Sequence, residues 1–493
     1  MTTRSERAAH VGLRLDIAAA IGAAVVLFAV GRTANGPLSP HGDTAALVKT
    51  SAVMDDCLRH LQLWNCDAYL HRPAAGRNPL GVFPFPLFQY VPALIMRFFD
   101  ASFGTTFRTL VFINFASLSA IVAIAYFTMR RVASAVWAPV VVASVLASPL
   151  IWYGKSAFGE DFAAALVLAA IAAILMDAPL AIIGMAVAAA CLTKETNPPF
   201  VFALAALCVI GLRRGDAAGR RRQLIVIGSA TGVGILCNSL FNVFRWGTIR
   251  NVNYTQRAFH TTNPQLIMRI FSAEWFAPNA GLIWFWPTAV ALILLCAFCS
   301  LRHTPRNSRS VGAPAVALLL ILQMFVLATW YSPFGWLAWG PRLILPLLPA
   351  MIVASCALAA PFATRALSRF LRSAALFPAT AVVILAGLPQ VAEQFYGHAV
   401  TKFFSPRCGY AGDEFTNQKL YYHCVQTIAW GRQPWMLSYG LRGVTTTWGV
   451  VVSLAFAVAI TALLLRARNA ARAEPGDDTV LDVKENPSPV EST

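Results

Sequence analysis

The chain is poor in charge. Aspartate, glutamate, lysine and arginine make up 12% of its 493 residues, against roughly 25% in an ordinary soluble domain. Hydrophobic residues make up 57%, and mean hydropathy is +0.61. A single soluble core of this size cannot hide so much apolar surface, so lipid must solvate much of it. Acidic residues are the scarcer sign, 22 against 39 basic, for a net charge of +17. The basic residues stand in short clusters between apolar runs, which is the pattern of loops facing anionic lipid, and nucleic acid is excluded as a partner. Several motifs are also missing. No Walker sequence is present, so ATP is not the driver. There is no G-x-S-x-G elbow, no HExxH zinc motif and no dinucleotide fingerprint after a strand. No internal repeat is visible.

What is present is a series of apolar runs of spanning length. They fall near 14–31, 107–128, 133–152, 161–176, 178–193, 197–212, 223–243, 283–301, 312–331, 340–361, 373–391 and 446–466. About 20 apolar residues cross a hydrocarbon core of roughly 30 Å. The N-terminus has Arg4, Arg7 and Arg14 before an apolar run, as a signal peptide does, but no small-residue cleavage site follows, and it is read as a retained first helix. With that terminus inside and the runs alternating, the basic clusters all fall on one side. These are Arg130 with Arg131, Arg213–Arg214 with Arg220–Arg222, Arg302 with Arg306 and Arg309, Arg365 with Arg369 and Arg372, and Arg466 with Arg468 and Arg472. The assignment requires that 82–98, with Pro84, Pro86 and Pro92, lies along the interface rather than across it. The expected fold is an all-α polytopic membrane protein of about 12 transmembrane helices, residues 1–466, with outer loops at 32–106, 244–282 and 392–445. A disordered cytoplasmic tail follows at 467–493. The expected location is a bacterial cytoplasmic membrane.

The cysteines divide in the same way. Cys191, Cys208, Cys237, Cys296, Cys299 and Cys356 lie in or beside apolar spans and are read as inert small hydrophobes. Cys57 and Cys66 share the first outer loop, and Cys408 and Cys424 the last. Two local pairs on an oxidising face suggest two disulfides, the alternative being four free thiols.

Ionisable residues at a membrane boundary are costly and mark candidate sites. Asp43, just after the first span, is placed to act as a general base on an acceptor hydroxyl, or else caps a helix starting at Thr44. Glu160 and Asp161 open a span. They complement its dipole, orient an acceptor, or hold a divalent cation, the only cofactor these residues suggest; no metal set is assigned. Lys194 and Glu195 lie in a short turn and bind a phosphate or sugar, or form an interfacial ion pair. Trp336 and Trp339 suit an interfacial belt and also stack on sugars. Arg342 opens a span from the outer side, against the positive-inside trend, where its guanidinium matches a lipid phosphate or snorkels. Arg250, Tyr254, Arg257 and His260 form a basic, aromatic loop that lines the same site or is simply solvated.

Taken together and in order, these stretches resemble integral-membrane glycosyltransferases of the GT-C superfamily, of the bacterial kind related to protein O-mannosyltransferases and aminoarabinose transferases. Gly42-Asp43-Thr44 is similar to the family's Gly-Asp-Glu motif, with Thr in place of Glu. Asp55-Asp56, Asp67-Ala68-Tyr69, the proline-rich 83–88 and Lys194-Glu195-Thr196 follow in the family's order. Residues 278–287 resemble its P-x-x-G-L-x-W-x-x-P stretch, and Trp339-Gly340-Pro341-Arg342-Leu343 with Pro346 and Pro349 its W-G-x-R-x-L-x-P-x-x-P segment. The resemblance covers roughly 14–361. It implies a polyprenyl-phosphate-linked sugar as donor, an extracytoplasmic site, inversion at the anomeric carbon, and a lipid, glycan or protein acceptor. On that basis Asp43 is the base, Arg342, Lys194 and Arg257 hold the donor phosphate, and Glu160, Asp161, Glu195, Trp336 and Trp339 bind sugar or acceptor. Two other classes share some of these features: a transporter or flippase of lipid-linked intermediates, for which Asn114, Asn238 and Asn242 are the only hints, and a polymerase or ligase of envelope glycans.

Overall fold

The computed structural model describes residues 60, 103–156, 159–212, 217–246, 248–250, 260–302, 308–330, 339–396 and 436–473. Asp43, Arg257, Trp336, Cys57, Cys66, Cys408, Cys424, the first span and segment 82–98 lie outside them. The described residues are almost wholly helical and form no β-strand; a single isolated bridge joins His260 to Trp330.

The helices are α1 Phe103–Val132, α2 Trp137–Leu146, α3 Leu150–Gly154, α4 Glu160–Leu175, α5 Leu180–Cys191 and α6 Asn197–Leu212. Then come α7 Ala217–Trp246, α8 Pro264–Phe276, α9 Leu282–Phe285, α10 Pro287–Arg302 and α11 Ser308–Ala328. A short 3-10 turn, Arg342–Ile344, leads to α12 Leu348–Arg372, α13 Leu376–Tyr396, α14 Met436–Leu441 and α15 Thr447–Ala473. Six of them contain a stretch long and apolar enough to cross a membrane: Leu110–Val132, Ala217–Val243, Ser310–Ala328, Leu348–Arg372, Leu376–Tyr396 and Thr447–Ala473. The chain is thus a multi-pass α-helical membrane protein.

Twelve full-length spans are not found among the described residues. The run at 133–152 is interrupted, because Pro149 cannot continue α2 and instead starts α3. The run at 283–301 breaks at Trp286, whose φ of −144° and ψ of 62° precede Pro287, the first residue of α10. Helices α5, α6 and α10 have 12, 16 and 16 residues, so at 1.5 Å per residue each falls short of a core of roughly 30 Å. Helix α12 starts later than the run at 340–361 and ends later, and α15 continues past 466 to Ala473. The expected outer loop 244–282 holds an amphipathic helix, α8. Asn263 caps it by accepting from Gln265 N (3.0 Å) and Leu266 N (3.4 Å), with Pro264 in its first turn. Its Ile270 and Ala273 are buried while Met268 and Phe276 stand exposed.

Helix α12 is the axis of the bundle and packs against α10, α11, α4, α15 and α1. Ala350, Ala354, Ser355, Ala357 and Ala359 are buried along it, and small residues let neighbouring helix backbones approach closely in lipid. The two ends of the bundle differ. At one end a cavity of about 490 Å³ is lined by Val132, Ser134, Leu212, Thr364 and Arg365. Trp137 Nε1 donates to Thr364 Oγ1 (2.9 Å) at that end. Arg466 lies over the Tyr126 ring and Arg468 over Phe377, while Gln223 donates to Asp177 Oδ1 (2.8 Å). The clusters at 130–131, 220–222, 365–372 and 466–472 therefore gather at one end. The charged cluster of Glu160, Asp161, Lys194 and Arg342 lies at the other.

Candidate functional site

Three separated stretches meet at the end away from the basic clusters. The first is the turn between α3 and α4. Glu160 and Asp161 begin α4 and are wholly buried; acidic residues there complement the N-terminal dipole. The second is the turn between α5 and α6. Thr193 Oγ1 donates to Ala190 O (2.6 Å), Asn197 Nδ2 donates to Thr193 Oγ1 (3.1 Å), and Asn197 N donates to Lys194 O (3.0 Å). These bonds form a tight turn that keeps Lys194 inside, 3% exposed, with Glu195 half-buried beside it. The third is the 3-10 turn carrying Arg342, 5% exposed.

Arg342 Nε donates to Glu160 Oε1 at 2.6 Å. A charge-assisted bond this short between two buried groups fixes the plane of the guanidinium. Glu160 Oε2 and both oxygens of Asp161 have no hydrogen-bond partner among the described residues. Lys194 is near enough to feel both Glu160 and Arg342. Burial pulls its ammonium down to about 8, against the attraction of Glu160 and with the repulsion of Arg342. Among the described residues no three His, Cys, Asp or Glu side chains come close enough together to hold a metal ion.

The backbone that carries Arg342 is held in a special shape. Gly340 has φ +72°, and a Cβ there would lie 2.6 Å from Phe285 Cδ1. Only glycine fits a left-handed conformation pressed against a ring. Trp339 is wholly buried. Its ring stacks on Trp152 (6.5 Å, 15°) and meets Phe285 edge-on (5.5 Å, 86°), and its indole N–H donates to Gln390 Oε1. The Tyr153 hydroxyl donates to Trp339 O and accepts from Trp339 N, each at 3.2 Å. Trp339, expected at a sugar, is here enclosed by Trp152, Phe285 and Gln390 and pins the Arg342 turn. The 278–287 stretch is likewise a folding device. Gly281 sits where a Cβ would lie 2.7 Å from Ala277 N and Trp275 O. Asn279 Oδ1 accepts from Met436 N (2.8 Å), and Trp286 Nε1 donates to Ser144 O (2.9 Å).

The structure therefore brings Glu160, Asp161, Lys194 and Arg342 together. Other members of the assembly were missed in the sequence: Tyr153, and Gln390, Glu393 and Gln394 near the end of α13. The last three lie just inside and past an apolar run taken to end at 391, and a charge beside such a run was the available signal. Lys155 Nζ donates to Glu393 O (3.0 Å) and pairs with Glu393 Oε2. Asn114 Nδ2 donates to Ser156 O (2.7 Å) and Asn238 Nδ2 to Cys191 O (3.0 Å). Both asparagines fasten helix ends at this side of the bundle. The six cysteines of the spans are free thiols.

No family model and no curated protein sequence matches the chain. Among solved structures it is similar to ArnT from Cupriavidus metallidurans in the apo state, at 16% identity and a TM-score of 0.45, over 94% of this chain and 78% of that one. It is also similar to ArnT from the same organism bound to undecaprenyl phosphate, at 16% identity and a TM-score of 0.44, over 92% and 78%.

Proposed function

We propose that this protein is a membrane glycosyltransferase that moves a sugar from a polyprenyl-phosphate donor to an acceptor hydroxyl at the outer face of the membrane. One observation carries the reading. Two buried cations and two buried carboxylates from three distant stretches of chain converge at the bundle end opposite the basic clusters. Such groups are expensive next to lipid and are kept there for chemistry.

The reaction is a single displacement. The acceptor oxygen attacks the anomeric carbon, and the bond from that carbon to the phosphate oxygen breaks with its electron pair on the phosphate. Asp43 takes the hydroxyl proton. Arg342 and Lys194, with Arg257, stabilise the charge that develops on the leaving phosphate. Glu160 orients the Arg342 guanidinium, and Asp161 offers carboxylate oxygens to sugar or acceptor hydroxyls. The transition state has the oxocarbenium character of sugar hydrolysis, and a phosphate leaves with little acid assistance.

The test is a radiolabelled transfer assay in membranes with polyprenyl-phosphate sugars. Asp43→Asn should abolish transfer while the protein still inserts and folds. Full activity of that variant removes Asp43 from the mechanism, and absence of transfer by the wild type from any such donor removes the reading. Of the three asparagines that suggest a transporter, Asn114, Asn238 and Asn242, the first two each donate to a backbone carbonyl at a helix end.

A further inference from the structure

The last turns of α13 hold buried polar groups that the proposed chemistry does not use. Gln390, Glu393 and Gln394 stand at i, i+3 and i+4, one face of the helix. Their exposures are 0%, 1% and 3%. Three polar side chains beside an apolar span cost heavily unless each is satisfied, and leucines would pack the same face more cheaply.

Together they grip separate stretches of chain. Gln394 Nε2 donates to Ile151 O (2.7 Å) in α3. Glu393 accepts from Lys155, the residue that follows α3. Gln390 Oε1 accepts from the Trp339 indole, and its Nε2 donates to Phe285 O (3.2 Å), the ring that backs Gly340. Two of the three grips hold the segment that leads into Glu160 and Asp161. The third holds the segment that leads into Arg342. One helix face is thus bonded to the two segments that lead into the acidic turn and into Arg342.

We infer that Gln390, Glu393 and Gln394 are positioning residues, which set the distance and angle between the acidic turn and Arg342 and so tune the site for a phosphate. The inference rests on the donor reading above. A mechanically fixed gap discriminates between anions by geometry, and misplacement by about 1 Å is enough to lose most of the benefit.

The test uses the full-length protein in lipid nanodiscs, with undecaprenyl phosphate as probe and hydrogen exchange as an independent readout. Gln390→Leu leaves both the Trp339 indole and Phe285 O without this partner. Lys155→Met with Glu393→Gln removes the buried pair without stranding a charge and covers the case in which Glu393→Gln alone does not fold. Gln390→Leu and the double variant should raise exchange in both 150–161 and 339–347, leave 350–360 protected, and weaken probe binding by roughly ten- to a hundredfold. Unchanged exchange in either segment overturns the inference, as does raised exchange with wild-type probe affinity. If the wild type itself does not bind the probe while exchange responds as stated, the donor reading has failed and the positioning of the two segments stands.

Discussion

Replacing Arg342 by methionine removes one partner of a buried ion pair. Glu160 is wholly buried and Arg342 only 5% exposed, and the bond between them is 2.6 Å long. Glu160 Oε2 has no hydrogen-bond partner among the described residues, so the carboxylate left behind depends heavily on the guanidinium. Stranding such a charge costs about 3–5 kcal/mol. Removing both charges, with Arg342→Met and Glu160→Gln together, should recover most of that, because an apolar or neutral replacement of a whole buried pair is close to neutral. The cycle should therefore show a coupling of about 3 kcal/mol. Binding should behave differently from stability. A hydrogen bond to a charged group is worth about 1.5–3 kcal/mol, so the stable double variant should bind undecaprenyl phosphate roughly ten- to a hundredfold more weakly. The measurements are denaturant unfolding in bicelles or detergent and lipid binding in nanodiscs, on both single variants and the double. A double variant that binds the lipid like wild type refutes Arg342 as the phosphate ligand. A single variant that loses less than about 1 kcal/mol refutes the dry, paired environment itself.

Lys194 should make phosphate binding depend on pH. Its ammonium sits at about 8 and is charged below that value, so affinity should be full near pH 7 and fall as pH rises through 8; Lys194→Met should bind weakly at both pH values and lose the dependence. Gly340→Ala should destabilise by about 2–4 kcal/mol, from a left-handed conformation at φ +72° and a collision with Phe285, and should lower probe affinity by moving Arg342; a variant as stable as wild type would contradict the described turn. Glu274 on α8 is 2% exposed with Oε2 unpartnered among the described residues, and burial holds its carboxyl well above the usual range. Stability should therefore fall as pH rises from the ordinary carboxylate range through that raised value. Glu274→Gln should be more stable than wild type at neutral pH and lose this slope in unfolding experiments.

The membrane class and the grouping of the basic clusters were legible in the sequence because both are one-dimensional. Apolar run length measures the bilayer, and the position of arginine between runs measures sidedness. Glu160, Asp161, Lys194 and Arg342 were legible as single boundary charges for the same reason. Pro149 and Pro287 divide two of the apolar runs, at 133–152 and 283–301, and hydropathy does not register such a helix break. What only the tertiary structure decided is pairing. The bond from Arg342 to Glu160 joins residues 182 apart in sequence, and that from Trp339 to Gln390 joins residues 51 apart. No local pattern encodes which buried polar group meets which. Trp339 shows this clearly: its residue type and boundary position are those of a sugar platform, yet the rings of Trp152 and Phe285 and the side chain of Gln390 enclose it. Lipid selects which segments are apolar, and the requirement that each buried polar group find a partner then determines how those segments meet.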